Sequence, residues 1–86
     1  MNNGEMYREG NARTNAEFHI LLSKTVGEGL EIVLGQRLPD GWYVTWECSG
    51  GNNYYWGHYF NGNQLLEAMA DFMERCGDHG VQTQNP

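Results

Sequence analysis

A carboxylate and an imidazole held on adjacent strands can act as a general acid and base near neutral pH. In this chain Glu47 and His58 stand on either side of the glycine-rich turn "SGGNN", on neighbouring strands of one hairpin. They are set in the stretch "NNYYWGHYF", Asn52 to Phe60, whose last seven positions hold five aromatic residues and His58. Such a stretch can be a stacking platform beside an acid–base pair, a contact surface for another protein, or packed core.

Other chemistry finds less support. His19, His58 and His79 fall on an early strand, a late strand and a polar tail, with neither the i, i+4 spacing of a helical metal site nor a CxxC pair nearby. No metal and no cofactor is expected. The glycines of "GEG" and "SGGN" sit in hairpin turns that do not open onto a helix N-terminus, so they form no phosphate cradle. Cys48 and Cys76, far apart in sequence, read as free buried thiols in a reducing cytosol, which makes the expected location cytoplasmic.

Charge narrows the partner classes. Eleven acidic against five basic residues give a net charge of −6 and a pI near 4.8. A polyanion is normally met by clustered Lys and Arg that release its counterions, so no direct nucleic-acid binding is expected. The N-terminal "MNNGEMYREGNARTN" has no apolar run of signal-peptide or membrane-spanning length, and no membrane association is expected.

The elements that would position these residues follow from pattern. "EFHILLSKTV" and "LEIVLGQ" are aliphatic, β-branched runs joined by "GEG", a hairpin turn that Val26 and Leu30 would close. Leu22 then opposes Leu34 and Lys24 opposes Ile32, putting Phe18, Ile20, Leu22, Leu30, Ile32 and Leu34 on one face. "LPDGW" matches a three-residue hairpin loop with glycine in the left-handed region, pairing Leu38 with Trp42. Counting inward sets Leu34 against Trp46 and Ile32 against Cys48, so Trp42, Val44, Trp46 and Cys48 join the aliphatic face.

The last hairpin admits either a two-residue or a three-residue loop, and one residue reverses every following side chain. The longer loop, Gly-Gly-Asn, turns Tyr54, Trp56, His58 and Phe60 inward. It is preferred because Trp and Phe bury more readily than Tyr and Gly. "NGNQLLEAMADFMERCG" is an amphipathic helix that Asn61 and Gln64 can cap, with Phe60 stapled to Leu65 and Gly77 as its stop. Phe72, Leu65, Cys76, Met69, Met73 and Leu66 form its apolar face, opposite Glu67, Asp71 and Glu74.

These elements make an α+β fold: a four-stranded antiparallel β-meander with one C-terminal helix packed on one face (ββββα). Residues 1–15 read as a disordered N-terminal tail, 16–77 as a single domain and 78–86 as a disordered C-terminal tail. No helix remains for the second face, where Tyr43, Tyr55 and Tyr59 would form a contact surface bordered by Glu31 and Glu47. The expected function is a small non-enzymatic protein–protein interaction module using that tyrosine-rich face or an edge strand, with a homodimer among its forms. Two alternatives stand beside it. One is an acidic inhibitor from a phage or mobile element that occupies a basic nucleic-acid-binding site on a host protein, through Glu67, Asp71, Glu74 and Asp78. The other is a small enzyme using Glu47 and His58.

Overall fold

The computed structural model describes residues 7–9 and 13–84, with side chains from 13 to 78. In chain order the elements are β1 (Tyr7–Glu9), β2 (Thr14–Asn15), β3 (Phe18–Gly27), β4 (Leu30–Gln36), β5 (Tyr43–Ser49), β6 (Asn53–Phe60) and α1 (Leu65–Gln84). The strands form an antiparallel sheet in the order β1-β3-β4-β5-β6, with the two-residue β2 also paired to β3. The sheet curls into a half-barrel and α1 lies across one face. The fold is α+β, as the pattern predicts, with one strand more along its length than the expected meander. That strand, β1, and the short β2 both lie within residues 1–15. A tight turn through Ala16 and Glu17, both in the left-handed region at φ 52° and 70°, folds β2 back onto β3. Without glycine this turn has no clear signal in the sequence.

The helix also extends beyond its expected stop. Gly77 keeps helical backbone geometry instead of the left-handed cap conformation, and α1 continues to Gln84. At the other end the cap forms as the spacing predicts: Asn61 N–H donates to Gln64 Oε1 at 2.9 Å, and Asn63 N–H donates to Asn61 Oδ1 at 3.2 Å.

Register decides which residues share a face, and it departs from the sequence reading at four places. The β3–β4 turn is closed by Gly27 and Leu30 instead of Val26 and Leu30, and a shift between Thr25 and Gly27 restores the predicted pairs Leu22↔Leu34 and Lys24↔Ile32. A second shift, between Ile20 and Leu22, turns Phe18 and Ile20 to the other face. The β4–β5 loop has four residues instead of three: Arg37, not Leu38, is the partner of Trp42, with Arg37 N–H donating to Trp42 O at 2.8 Å. Leu34 therefore opposes Thr45 and Ile32 opposes Glu47, which sends Val44, Trp46 and Cys48 to the face away from the helix. The fourth departure, a bulge in β6, belongs to the site described below.

The four-residue loop is held by its own side chains. Arg37 grips Asp40 through three hydrogen bonds of 2.7–3.2 Å, Asp40 Oδ1 accepts from Trp42 N–H at 3.2 Å, and Gly41 takes φ 77°. The Arg37 hydrogen bonds are the main cause of an Asp40 pKa below its ordinary value, with the Trp42 N–H adding to them. Because the folded value is depressed, this pairing stabilises the fold above the unfolded pKa of about 3.9 and is lost as pH falls through the lower folded value. A carboxyl-carbon NMR titration is expected to place the Asp40 midpoint below that of an unfolded peptide, and Arg37→Gln should return it.

Both faces of the sheet carry a core. Under α1, Ile32, Leu34 and Tyr43 pack with Ala68, Phe72 and Cys76, joined by Leu22, Val26 and Phe60. On the face away from α1, Phe18, Ile20, Val33, Val44, Trp46 and Cys48 bury one another with Tyr54. Among the described residues no helix covers this second cluster. Long side chains border it: Arg13 donates to Glu31 and to the Tyr54 hydroxyl, each at 3.1 Å, and the Arg37 guanidinium lies 5.0 Å from the Phe18 ring centre. Burial pushes both the Cys48 and the Cys76 thiol above the ordinary range, and both are free.

Candidate functional site

Two helical residues one turn apart, Asp71 and Arg75, point into the sheet instead of into water. Arg75 Nη1 donates to the Thr45 hydroxyl at 2.9 Å and to the Thr45 carbonyl at 3.1 Å, while its Nη2 donates to the Trp56 carbonyl at 2.8 Å. The buried Thr45 hydroxyl in turn donates to Asp71, whose carboxylate also holds His58 Nδ1 at 2.9 Å and 3.2 Å. A buried threonine in a strand has no water to satisfy its hydroxyl, so the helix supplies both an acceptor and a donor.

These polar anchors set the roll of α1. Among its described side chains Ala68, Phe72, Arg75 and Cys76 are buried, whereas Leu65, Leu66, Met69 and Met73, expected in the interior, are exposed, Leu66 at 78 % and Met73 at 64 %. At 100° per residue the buried face is turned by roughly 70° from the purely apolar arc. Asp71, expected on the solvent side, is drawn to the sheet by the same rotation.

Trp56 completes the site on β6. The β5–β6 loop has the three residues preferred from sequence, with Ser49 paired to Asn53 and Cys48 to Tyr54. Between Tyr55 and His58 the register shifts, so that Trp56 and Gly57 together oppose Trp46. The cause is steric. A Cβ on Gly57 would lie 2.7 Å from Nε1 of the buried Trp46 and 2.9 Å from the Tyr59 ring, so only glycine lets the indole lie against this backbone. The extra residue, Trp56, takes φ 56° and is 69 % exposed, its ring edge-on to Tyr55 at 5.3 Å between centres. The left-handed conformation costs a non-glycine residue about 1–2 kcal/mol. Arg75 holds it by the carbonyl.

The bulge also redistributes the residues singled out from sequence. Tyr43, Glu47, Tyr55, Tyr59 and Glu31 do not form the single face expected of them. Tyr43 is buried beneath α1, Glu47 and Tyr55 oppose each other on the helix side, and Tyr59 and Glu31 lie on the face away from α1. Tyr59 packs its ring against Phe18 and Trp46, and Glu31 is paired with Arg13. Tyr54 turns to the cluster on that face and Trp56 to solvent, whereas His58 and Phe60 return to the helix side as predicted. Glu47 and His58 thus share a face, through the bulge and not through a shorter loop. The residues that sequence reasoning overlooked, Thr45, Asp71 and Arg75, had one visible signal in the i, i+4 spacing of Asp71 and Arg75. A glycine inside an aromatic strand, Gly57, likewise signals a bulge or close backbone approach.

On the other flank of α1 the exposed methionines border a groove of about 420 Å³, lined by Leu22, Lys24, Met69, Phe72, Met73 and Cys76. Among the described residues no three His, Cys, Asp or Glu side chains converge to hold a metal, and no helix is long and apolar enough to cross a membrane.

No family model, curated protein or solved structure matches this chain. Function must be argued from the geometry alone. That geometry offers an exposed indole, its backbone carbonyl held by Arg75, beside an imidazole whose Nδ1 is engaged by Asp71, at the outer edge of the sheet.

Proposed function

We propose that this chain is a small non-enzymatic, cytoplasmic protein-binding module that makes its contact through Trp56 and the open edge of β6. The observation that carries the reading is Trp56 itself: a large apolar side chain, mostly in water, in a backbone conformation that costs free energy and is clamped by a buried arginine. In isolation this arrangement gains nothing from the indole's burial. Covered by a partner, a rigid tryptophan supplies the kind of anchor on which protein interfaces concentrate their binding energy.

The edge supports the same reading. Strand edges are commonly blunted by charge, proline or a bulge. Asn53–Phe60 has no Asp, Glu, Lys, Arg or Pro, in a chain of net charge −6, and the bulge that interrupts it places the contact on Trp56 instead of on continued strand pairing. The free, buried thiols of Cys48 and Cys76 fit a reducing compartment. His58 has a structural task in tying β6 to Asp71, which lends the acid–base alternative little weight. The inhibitor alternative draws less support too, since Asp71 is turned away from the acidic helix face.

A photo-crosslinking residue at position 56 tests the reading in cells that express the protein, with position 38 as control because Leu38 is also exposed, at 63 %. A protein adduct specific to position 56 is the expected result, and equal or absent adducts at the two positions would refute it. Trp56→Gly gives a second check. Release of about 1–2 kcal/mol of backbone strain is offset by about 0.5–1.5 kcal/mol of lost ring contact, so thermal stability should hold or rise while the partner is lost. A marked fall in the melting temperature would mean that the indole serves the fold instead.

A further inference from the structure

We propose that the partner of Trp56 is a second copy of this chain, whose apolar groove between α1 and β3 receives the indole. This rests on the reading of Trp56 as the contact residue and adds the identity of what covers it. Knob and socket occur on the same molecule but cannot meet within it. Trp56 is on β6 and the groove borders β3, with β4 and β5 between them, so they are three strand spacings, roughly 14 Å, apart on opposite flanks of α1.

The two surfaces match in chemistry. The groove, about 420 Å³, lies within the range of roughly 300–1,000 Å³ common to binding pockets. Met69 and Met73 line it with unbranched, polarisable side chains that adapt to an aromatic ring. Lys24 is the one charged residue of its lining, and an ammonium is attracted to an indole face. Identical chains of net charge −6 repel one another, and β6 is a stretch without formal charge that can approach another copy with least opposition. The roll of α1 that exposes Met69 and Met73 is set by the same Arg75 that clamps Trp56, so one polar anchor creates both halves of the contact.

Knob and socket can be satisfied reciprocally in a two-fold dimer, each indole entering the other copy's groove, or head-to-tail in a larger ring or a chain. Sedimentation velocity over a wide concentration range is expected to show the wild-type protein associating into a dimer or a larger assembly. Trp56→Gly removes the knob and Met73→Glu blocks the socket, and each alone should weaken association about thirtyfold or more. Both positions are exposed, so circular dichroism should show each variant folded. Mixed, the two variants should form a one-to-one complex and nothing larger, since one intact knob and one intact socket remain. A wild-type chain that stays monomeric into the millimolar range, a variant that associates as tightly as the wild type, or a mixture that associates no better than either variant alone would each overturn the proposal. Crosslinks from position 56 to a different protein, with the wild-type chain monomeric, would retain Trp56 as the contact and reject the second copy as its partner.

Discussion

Arg75→Met should lower folding stability by about 3–5 kcal/mol, the range for removing one partner from a buried charged network. Methionine keeps most of the aliphatic stem, so the loss isolates the guanidinium. Its removal strips a donor from Thr45 O, Thr45 Oγ1 and Trp56 O at once, and takes away the cation 4.0 Å from the Asp71 carboxylate. Arg75 is 9 % exposed, so water cannot replace these bonds without opening the helix–sheet contact. Against a total stability of about 5–15 kcal/mol, the variant would be close to unfolding. Urea denaturation measures this directly. Arg75→Lys should recover only part of the loss, because a single ammonium cannot span Thr45 and Trp56 as a planar fork does. A loss below about 1 kcal/mol, typical of surface pairs, would show that the cluster is solvated and does not set the roll of α1.

Gly57→Ala is expected to cost about 1–3 kcal/mol through overpacking. The added methyl would sit 2.7 Å and 3.0 Å from the Trp46 ring, which is 4 % exposed and edge-on to Phe18 at 5.5 Å, so the indole has nowhere to retreat. Near-ultraviolet circular dichroism, which reports the asymmetry of buried aromatic rings, should change along with the denaturation midpoint. Gly77→Ala is the contrasting case. It lies in α1 with no atom beyond its chain neighbours and the adjoining helix backbone within 4 Å of the new methyl, and should stabilise the protein by about 0.5–1 kcal/mol. If the two glycines responded alike, the effect would come from chain entropy and not from the fit of Trp46 against β6.

The two substitutions probe one mechanism from its two ends. Trp46 on the face away from α1 demands a glycine at 57, the ladder absorbs the misfit by extruding Trp56, and Arg75 from the helix side takes up the carbonyl. Core packing on one face thereby presents an indole at the edge.

How far this could be read from sequence differs by element. The helix and its cap were legible because Asn61, Gln64 and the apolar spacing act within one or two turns. The β3–β4 and β5–β6 hairpins were legible because glycine and asparagine mark their turns, and the pair Ser49↔Asn53 follows from loop length, whereas Leu22↔Leu34 holds because a shift between Thr25 and Gly27 offsets a turn one residue shorter than the spacing suggests. The expected tyrosine face was not found, since its members were assigned by counting alternation from turns, and each count was reversed by a single residue. At the β4–β5 loop the residue was Arg37, which pairs with Trp42 and grips Asp40 in place of a three-residue closure at Leu38. In β6 it was Trp56, and in β3 it was Leu21.

The chain's local chemistry therefore determines which segments are strands, helix and turns, and that at least one face of the sheet is apolar. Tertiary structure alone decides which residues share that face, because side-chain direction has a period of two and one inserted residue inverts it. Whether a residue is inserted depends on contacts distant in sequence: Trp46 against Gly57, Arg75 against Trp56, and Thr45 against Asp71. No local pattern carries that information. The stretch around Trp56 is for that reason a surface at its centre and core on either side.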